Sequence, residues 1–399
     1  MTDQPDLYEG DELLEIDDQA EGLDDVGPID ASIVNQSVVS GTDWTAETII
    51  SQINKGNIQL NPKFQRRDAW ENKRKSSFIE SLLLGLPIPQ IVLAESNIKR
   101  GSYIVVDGKQ RLLSIRQFAA KRDDEVFRQL RLTGLTIRKD LNLMSLESLR
   151  ADAQRADDVA AFENQPIRTV VVKNWGTEDF LYSVFLRLNM GSVPLSTQEL
   201  RQALHPGPFL EFIDEASAES AGLRKVLKLK KPDFRMRDAE LLTRWYAFQK
   251  FGARYAGDLK RFLDESCGEL NRVWNEVSEQ VNSDLLEFEA AVATSYKIFE
   301  SNAFRKWTPQ GYEGRFNRAI FDVMTYYFAN PQIRAESEAK AKAVEQAFRE
   351  LCSTNQDFLA SIERTTKSIG ATTHRLNAWA VELSKLTGLR ICSPLSSNV

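Results

Sequence analysis

Histidine is nearly missing from this chain: only His205 and His374 occur in 399 residues. They lie too far apart to form a local ligand pair, so a His-Asn-His nuclease centre, with its histidines in one short segment, is excluded. Cysteine is scarce too. Cys267, Cys352 and Cys392 are odd in number and widely spaced, which supports neither a disulfide framework nor a thiolate metal site and fits a reducing compartment. No apolar run reaches the roughly 18 to 20 residues that cross a bilayer, and the richest stretch, residues 82–93, is broken by Gly85, Pro87 and Pro89. The first thirty residues hold no Lys or Arg and no apolar segment of the secretory kind. These absences predict a cytoplasmic protein with no membrane span. No Gly-x-Ser-x-Gly, Walker-type or Rossmann fingerprint occurs, which leaves those enzyme classes without support.

Positive charge is missing from one end. Residues 1–54 carry fourteen Asp or Glu and no Lys or Arg, the first basic residue being Lys55. The net charge of −6 is therefore a composite, because beyond this stretch 51 basic residues face 43 acidic ones. A mildly basic body suits phosphate or nucleic-acid partners. The leader, residues 1–40, reads as a solvated disordered tail; a DNA-mimicking strip that competes for the basic surface is the alternative.

With 42 % hydrophobic and 27 % charged residues, the composition is that of a globular chain whose length favours two packed parts. Asp43 or Thr45 can cap a helix carrying Ile49, Ile50 and Ile53 before Gly56. Residues 71–84 read as an amphipathic helix with Phe78, Ile79, Leu82 and Leu83 inward. Residues 91–94 and 103–106 read as a hairpin of buried strands, 110–119 as a helix, and further strands are expected around 129–137 and at 167–172. Beyond Thr177 nearly everything reads as helix. The fold class is α+β over residues 41–205, followed by a mostly α-helical part over 206–399, with Gly191, Pro194, Pro206, Gly207 and Pro208 clustered at the boundary.

Asp107-Gly108-Lys109-Gln110-Arg111 is the most informative stretch. It places a carboxylate at a strand end, a glycine turn, and two cations in the first helical turn, where the helix dipole disfavours them unless an anion is bound. Asp107 could hold a metal ion, orient Arg111 or position a water. The competing reading is a plain strand-to-helix turn with an internal Asp107 to Arg111 salt bridge. A second cluster, Lys63 to Arg67 with Trp70 and Lys73 to Lys75, mixes guanidinium forks with aromatics, as a nucleotide pocket does; a solvated helix face and core aromatics are its plainer account. A third, Arg224, Lys225, Lys228, Lys230, Lys231, Arg235 and Arg237, opposes seven cations to Asp233 alone. It is the DNA-contact candidate, since backbone phosphates need only positioned cations; a solubilising loop or internal ion pairing is the alternative.

Residues 61–67, the Ile79-Glu80-Ser81-Leu82 to Pro89 stretch, and Val106 to Leu112 together resemble the N-terminal domain family of GmrSD-type, modification-dependent restriction systems. Residues 185–201, with Asn189, Gly191 and Glu199-Leu200-Arg201, resemble its second motif block, and residues 235–240 the helical extension of stand-alone members. The resemblance implies a ParB/sulfiredoxin-like fold whose pentad binds and hydrolyses a nucleoside triphosphate, with Mg2+ as the expected metal. Asp107, Gln110 and Arg111 then take the catalytic positions, and Gln65, Arg66, Arg67, Gly108 and Lys109 the nucleotide. Lys109 stands where the family usually has Gln, which favours the alternative of a ParB-like clamp that binds nucleotide without turnover. The implied partners are DNA, a nuclease or other defence protein in place of the absent His-Asn-His domain, and a second copy of the chain.

Overall fold

The computed structural model describes residues 37–58, 60, 67, 69–97, 99–188, 196–363 and 367–395. They divide into two compact units, one ending at Leu204 and the other running from His205. The first is α+β. Strand β1 (Val38–Thr45) leads into helix α1 (Ala46–Asn54), whose start is capped by the Thr45 hydroxyl accepting from the Thr48 amide at 3.1 Å. The strand begins inside the segment assigned to the leader. It is an edge strand, mostly exposed and paired only with β4 (Pro166–Lys173), so it lacks the apolar alternation that marks half-buried strands in sequence.

Helix α2 (Asn72–Leu83), the hairpin strands β2 (Ile91–Glu95) and β3 (Tyr103–Asp107), and helix α3 (Lys109–Phe118) follow. The sheet order is β1-β4-β2-β3, with β2 parallel to β4 and the other neighbours antiparallel. Successive strand residues face opposite sides, which splits the interior in two. Ile91, Leu93 and Val105 join Ile49, Ile79, Leu82 and Leu112 on one face, where α4 (Leu146–Ala151) and α5 (Ala156–Asn164) complete the cover with Leu149 and Phe162. Val92, Ala94, Ile104 and Val106 pack on the other face against Leu181 and Phe185 of α6 (Glu178–Leu188) and Leu200 of α7 (Thr197–Leu204).

The strands expected around residues 129–137 are not there. Leu130, Leu132 and Leu135 are buried, yet the backbone bonds of this stretch go to groups other than a strand. The Leu130 amide donates to the Gln117 carbonyl, Leu132 to the Met144 carbonyl and Thr133 to the Ser76 hydroxyl. Buried Glu80 then accepts from the Ile137 and Arg138 amides at 2.9 and 2.7 Å. Burial disfavours the ionised carboxyl, but the amides of Arg138, Ile137 and Thr136 outweigh it and hold Glu80 below the usual range. Closely spaced buried leucines occur in strands and in loops that plug a core, so the sequence alone could not separate the two.

The second unit is helical: α8 (Pro208–Glu219), α9 (Ala221–Val226), α10 (Arg237–Phe251), α11 (Leu259–Arg272), α12 (Trp274–Phe299), α13 (Arg318–Phe328), α14 (Pro331–Ala339), α15 (Ala341–Thr354), α16 (Gln356–Glu363) and α17 (Ile369–Thr387), with a short β5 (Trp307–Thr308) to β6 (Gly311–Tyr312) pair. Trp245, Phe288 and Phe321 join α10, α12 and α13 in an edge-to-face aromatic core. Beside it Arg244 forks onto Asp322, through Nε at 3.1 Å and through Nη2, and Arg318 lies 3.4 Å from Glu240, all four side chains being buried. Among the described residues no helix is long and apolar enough to cross a membrane.

Candidate functional site

Asp107 ends β3, and Gly108 turns the chain into α3 with φ 96. A side chain there would be strained, and its Cβ would stand 3.2 Å from both Arg111 Nε and Ile91 Cγ1. The turn packs the Arg111 guanidinium against the backbone. Arg111 Nη2 donates to Asp107 Oδ2 at 2.9 Å, and Asp107 Oδ1 accepts from the Gly108 amide at 2.7 Å. The internal salt bridge is thus present, with Asp107 30 % exposed and Arg111 11 %. It does not exhaust the site: Arg111 Nε and Gln110 Oε1 are buried without a hydrogen-bond partner. The Gln110 and Arg111 amides, in the first turn of α3, also meet no acceptor among the described residues, as expected of a helix start.

Lys109 is held by a residue that the sequence left without a role. Its Nζ lies 2.8 Å from Glu199 Oε1, and both side chains are nearly buried. Glu199 in turn accepts from the Ser196 amide through Oε2 at 2.9 Å, while Ser196 Oγ accepts from the Glu199 amide at 3.2 Å. This is a capping box at the start of α7, readable from the Ser-x-x-Glu spacing, which ties the pentad to the second motif block. On the same helix Arg201 is fully buried and donates to Gln198 Oε1 at 2.7 Å. Both amide atoms of Gln202 are buried without a partner.

Gln65 and Arg66 lie outside the described residues, as does Asn189. Arg67 is buried, 3 % exposed. Trp70 meets Phe78 edge-on at 5.7 Å and carries Arg74 over its ring at 4.7 Å. Of the basic run that follows, Lys73 and Arg74 are exposed, whereas Lys75 is buried and donates to Gln117 Oε1 at 2.7 Å. Burial, aided by nearby Arg128, pulls its pKa down to about 8.

Residues 46–206 match the family model of the GmrSD restriction endonuclease, N-terminal domain. This part of the chain is similar to a GmrSD N-terminal domain. Its match ends at the same turn where the α+β unit ends, and such a domain marks a component of a restriction or defence system. No curated protein and no solved structure matches the chain. The matched part holds the pentad, Glu80 and Glu199; the seven cations of the basic strip lie beyond it.

Those seven do not behave alike. Arg224, Lys225, Lys228, Lys230 and Lys231 are exposed. Arg224 donates to the Ala218 and Glu219 carbonyls, and the Lys225 ammonium sits 3.9 Å from the Tyr296 ring centre. Arg235 stacks on Phe234 at 5.6 Å, and Arg237 forks onto buried Asp233 at 2.7 and 3.1 Å. Internal ion pairing therefore takes one cation, Arg237, and leaves the exposed five facing solvent.

Proposed function

We propose that this protein binds a nucleoside triphosphate at Asp107 to Arg111, hydrolyses it, and couples that site to DNA as part of a restriction-type defence system that acts with a partner nuclease. The observation that carries the reading is the left-handed Gly108 beside a buried, unpartnered Arg111 Nε. A turn without a Cβ lets an anion approach the orphan amides of a helix start, and the spare guanidinium N–H offers it a charge-assisted bond. Gln110 Oε1, an unpartnered acceptor, would orient a water by taking one of its hydrogens. Asp107 holds Arg111 in place and is the one carboxylate of the pentad that Mg2+ brought with the triphosphate could meet. The match to a GmrSD domain and the five exposed cations support DNA as the partner.

A nucleotide-switched clamp without turnover is the second reading, and the Lys109 to Glu199 pair favours it. An ammonium held at 2.8 Å by a carboxylate is not free to neutralise phosphate. Phosphate release from the four ribonucleoside triphosphates, with and without DNA, separates the two. Release by the wild type that is lost in Arg111→Ala establishes the triphosphatase. Nucleotide binding that needs Arg111 but yields no phosphate establishes the clamp, and turnover untouched by Arg111→Ala overturns the site.

A further inference from the structure

The helical unit contains a cleft of about 550 Å³ between the end of α9 and the end of α12, lined in part by Lys225, Lys228, Tyr296, Glu300, Arg305 and Phe316. It is assembled by one face of α12. Glu289 accepts from the Gly222 amide at 3.0 Å and from the Ser220 hydroxyl, fixing the first turn of α9. Tyr296, seven residues on and so on the same face, receives the Lys225 ammonium over its ring. Burial raises the Tyr296 hydroxyl's pKa and Arg305, which lines the same cleft, opposes that shift.

Two features set this cleft apart from an ordinary surface hollow. Lys225, Lys228 and Arg305 form no salt bridge among the described residues, although Glu300 lines the same cleft. The backbone is also strained where it borders the cleft. Lys228, Glu300 and Phe304 have φ of 52, 51 and 63. The Leu229 amide donates to the Arg224 carbonyl at 2.8 Å, a helix ending that normally puts glycine where Lys228 stands. Strain of this kind in non-glycine residues gathers at ligand sites, where the side chain is needed.

We propose that this cleft holds one nucleotide unit, its phosphate met by Lys225, Lys228 and Arg305 and its sugar or base edge by the Tyr296 hydroxyl and Glu300. The volume suits a ligand of that size. The proposal deepens the DNA-binding part of the reading above and is independent of the pentad. A nucleic-acid strand and a free nucleotide would present the same phosphate, so both are tested. Anisotropy of a labelled oligothymidylate of about ten nucleotides should show binding that Arg305→Ala weakens about tenfold, with a shallower salt dependence by about one phosphate. Lys228→Ala should act alike, and Lys342→Ala, exposed on α15 and outside both the cleft and the basic strip, should change little. Competition by thymidine monophosphate would show that the single unit suffices, and binding of the mononucleotide alone through Arg305 would assign the cleft to a free ligand. Oligonucleotide binding that survives Arg305→Ala but falls in Lys230→Ala would overturn the cleft and leave the basic strip standing. Absence of both ligands from the wild type would overturn the cleft outright, while phosphate release at the pentad would still be judged by Arg111→Ala.

Discussion

Gly108 carries the pentad because its φ of 96 strains any other residue and an added methyl would crowd Arg111 Nε and Ile91 Cγ1 at 3.2 Å. Gly108→Ala should cost about 1–3 kcal/mol, read as a lower urea midpoint, and should loosen Arg111 from Asp107. Lys109 is the residue at which the family's pattern and this chain part. Gln in its place would free Glu199 from the 2.8 Å ion pair, and phosphate release should rise by up to about tenfold in Lys109→Gln, the worth of one charge-assisted bond; unchanged release would show that the pair restrains nothing. Glu80 is a structural anion. Its lowered carboxyl pKa contributes stability that is complete above the unfolded value of 4.5 and is lost as pH falls through the folded value. Glu80→Gln should therefore be about 1–3 kcal/mol less stable at neutral pH, with the gap to wild type closing in acid titrations.

Among the elements, the ends carry more information than the middles. Thr45 caps α1, Ser196 with Glu199 caps α7, and Ser220 caps α9 by accepting from the Leu223 amide at 2.9 Å, so each start coincides with a hydroxyl residue that can take an orphan amide. The end of α9 breaks the rule with Lys228 in a left-handed conformation. Lys228→Gly should raise thermal stability by about 0.5–1 kcal/mol while weakening oligonucleotide binding; a gain in stability with binding intact would deny the lysine a role in the cleft. The helices α2 and α3 were legible from the spacing of their apolar residues. The loop over residues 129–138 was not, because its closely spaced leucines resemble a short strand, and only the acceptors Glu80 and Ser76, distant in sequence, reveal where the amides go. The start of α8 was also hidden. Pro206, Gly207 and Pro208 mark a turn in sequence, yet Pro208 opens α8 at a first-turn position where proline is tolerated.

Across the molecule, the two units are held by different means. The α+β unit closes over a sheet covered on both faces, whereas the helical unit buries guanidinium groups beside its aromatic core. Burial pulls the pKa of Arg375 down to about 10, against the opposing pull of Asp322. Asp322→Ala would leave Arg244 and Arg375 buried without that carboxylate, and should destabilise the helical unit by about 3–5 kcal/mol. Hydrogen exchange should show protection lost across α10 and α13 and kept in β2 and β4; uniform loss in both units would show that they unfold as one. By itself the sequence determined the capping spacings and the hydrophobic faces of the long helices, because each is written in neighbouring residues. Tertiary structure alone decided that Glu199 holds Lys109, that Glu80 satisfies a distant loop, and that Arg305 joins Lys225 and Lys228. Charges far apart in sequence choose their partners only when the packed elements bring them within bonding distance and remove the water that would otherwise screen them.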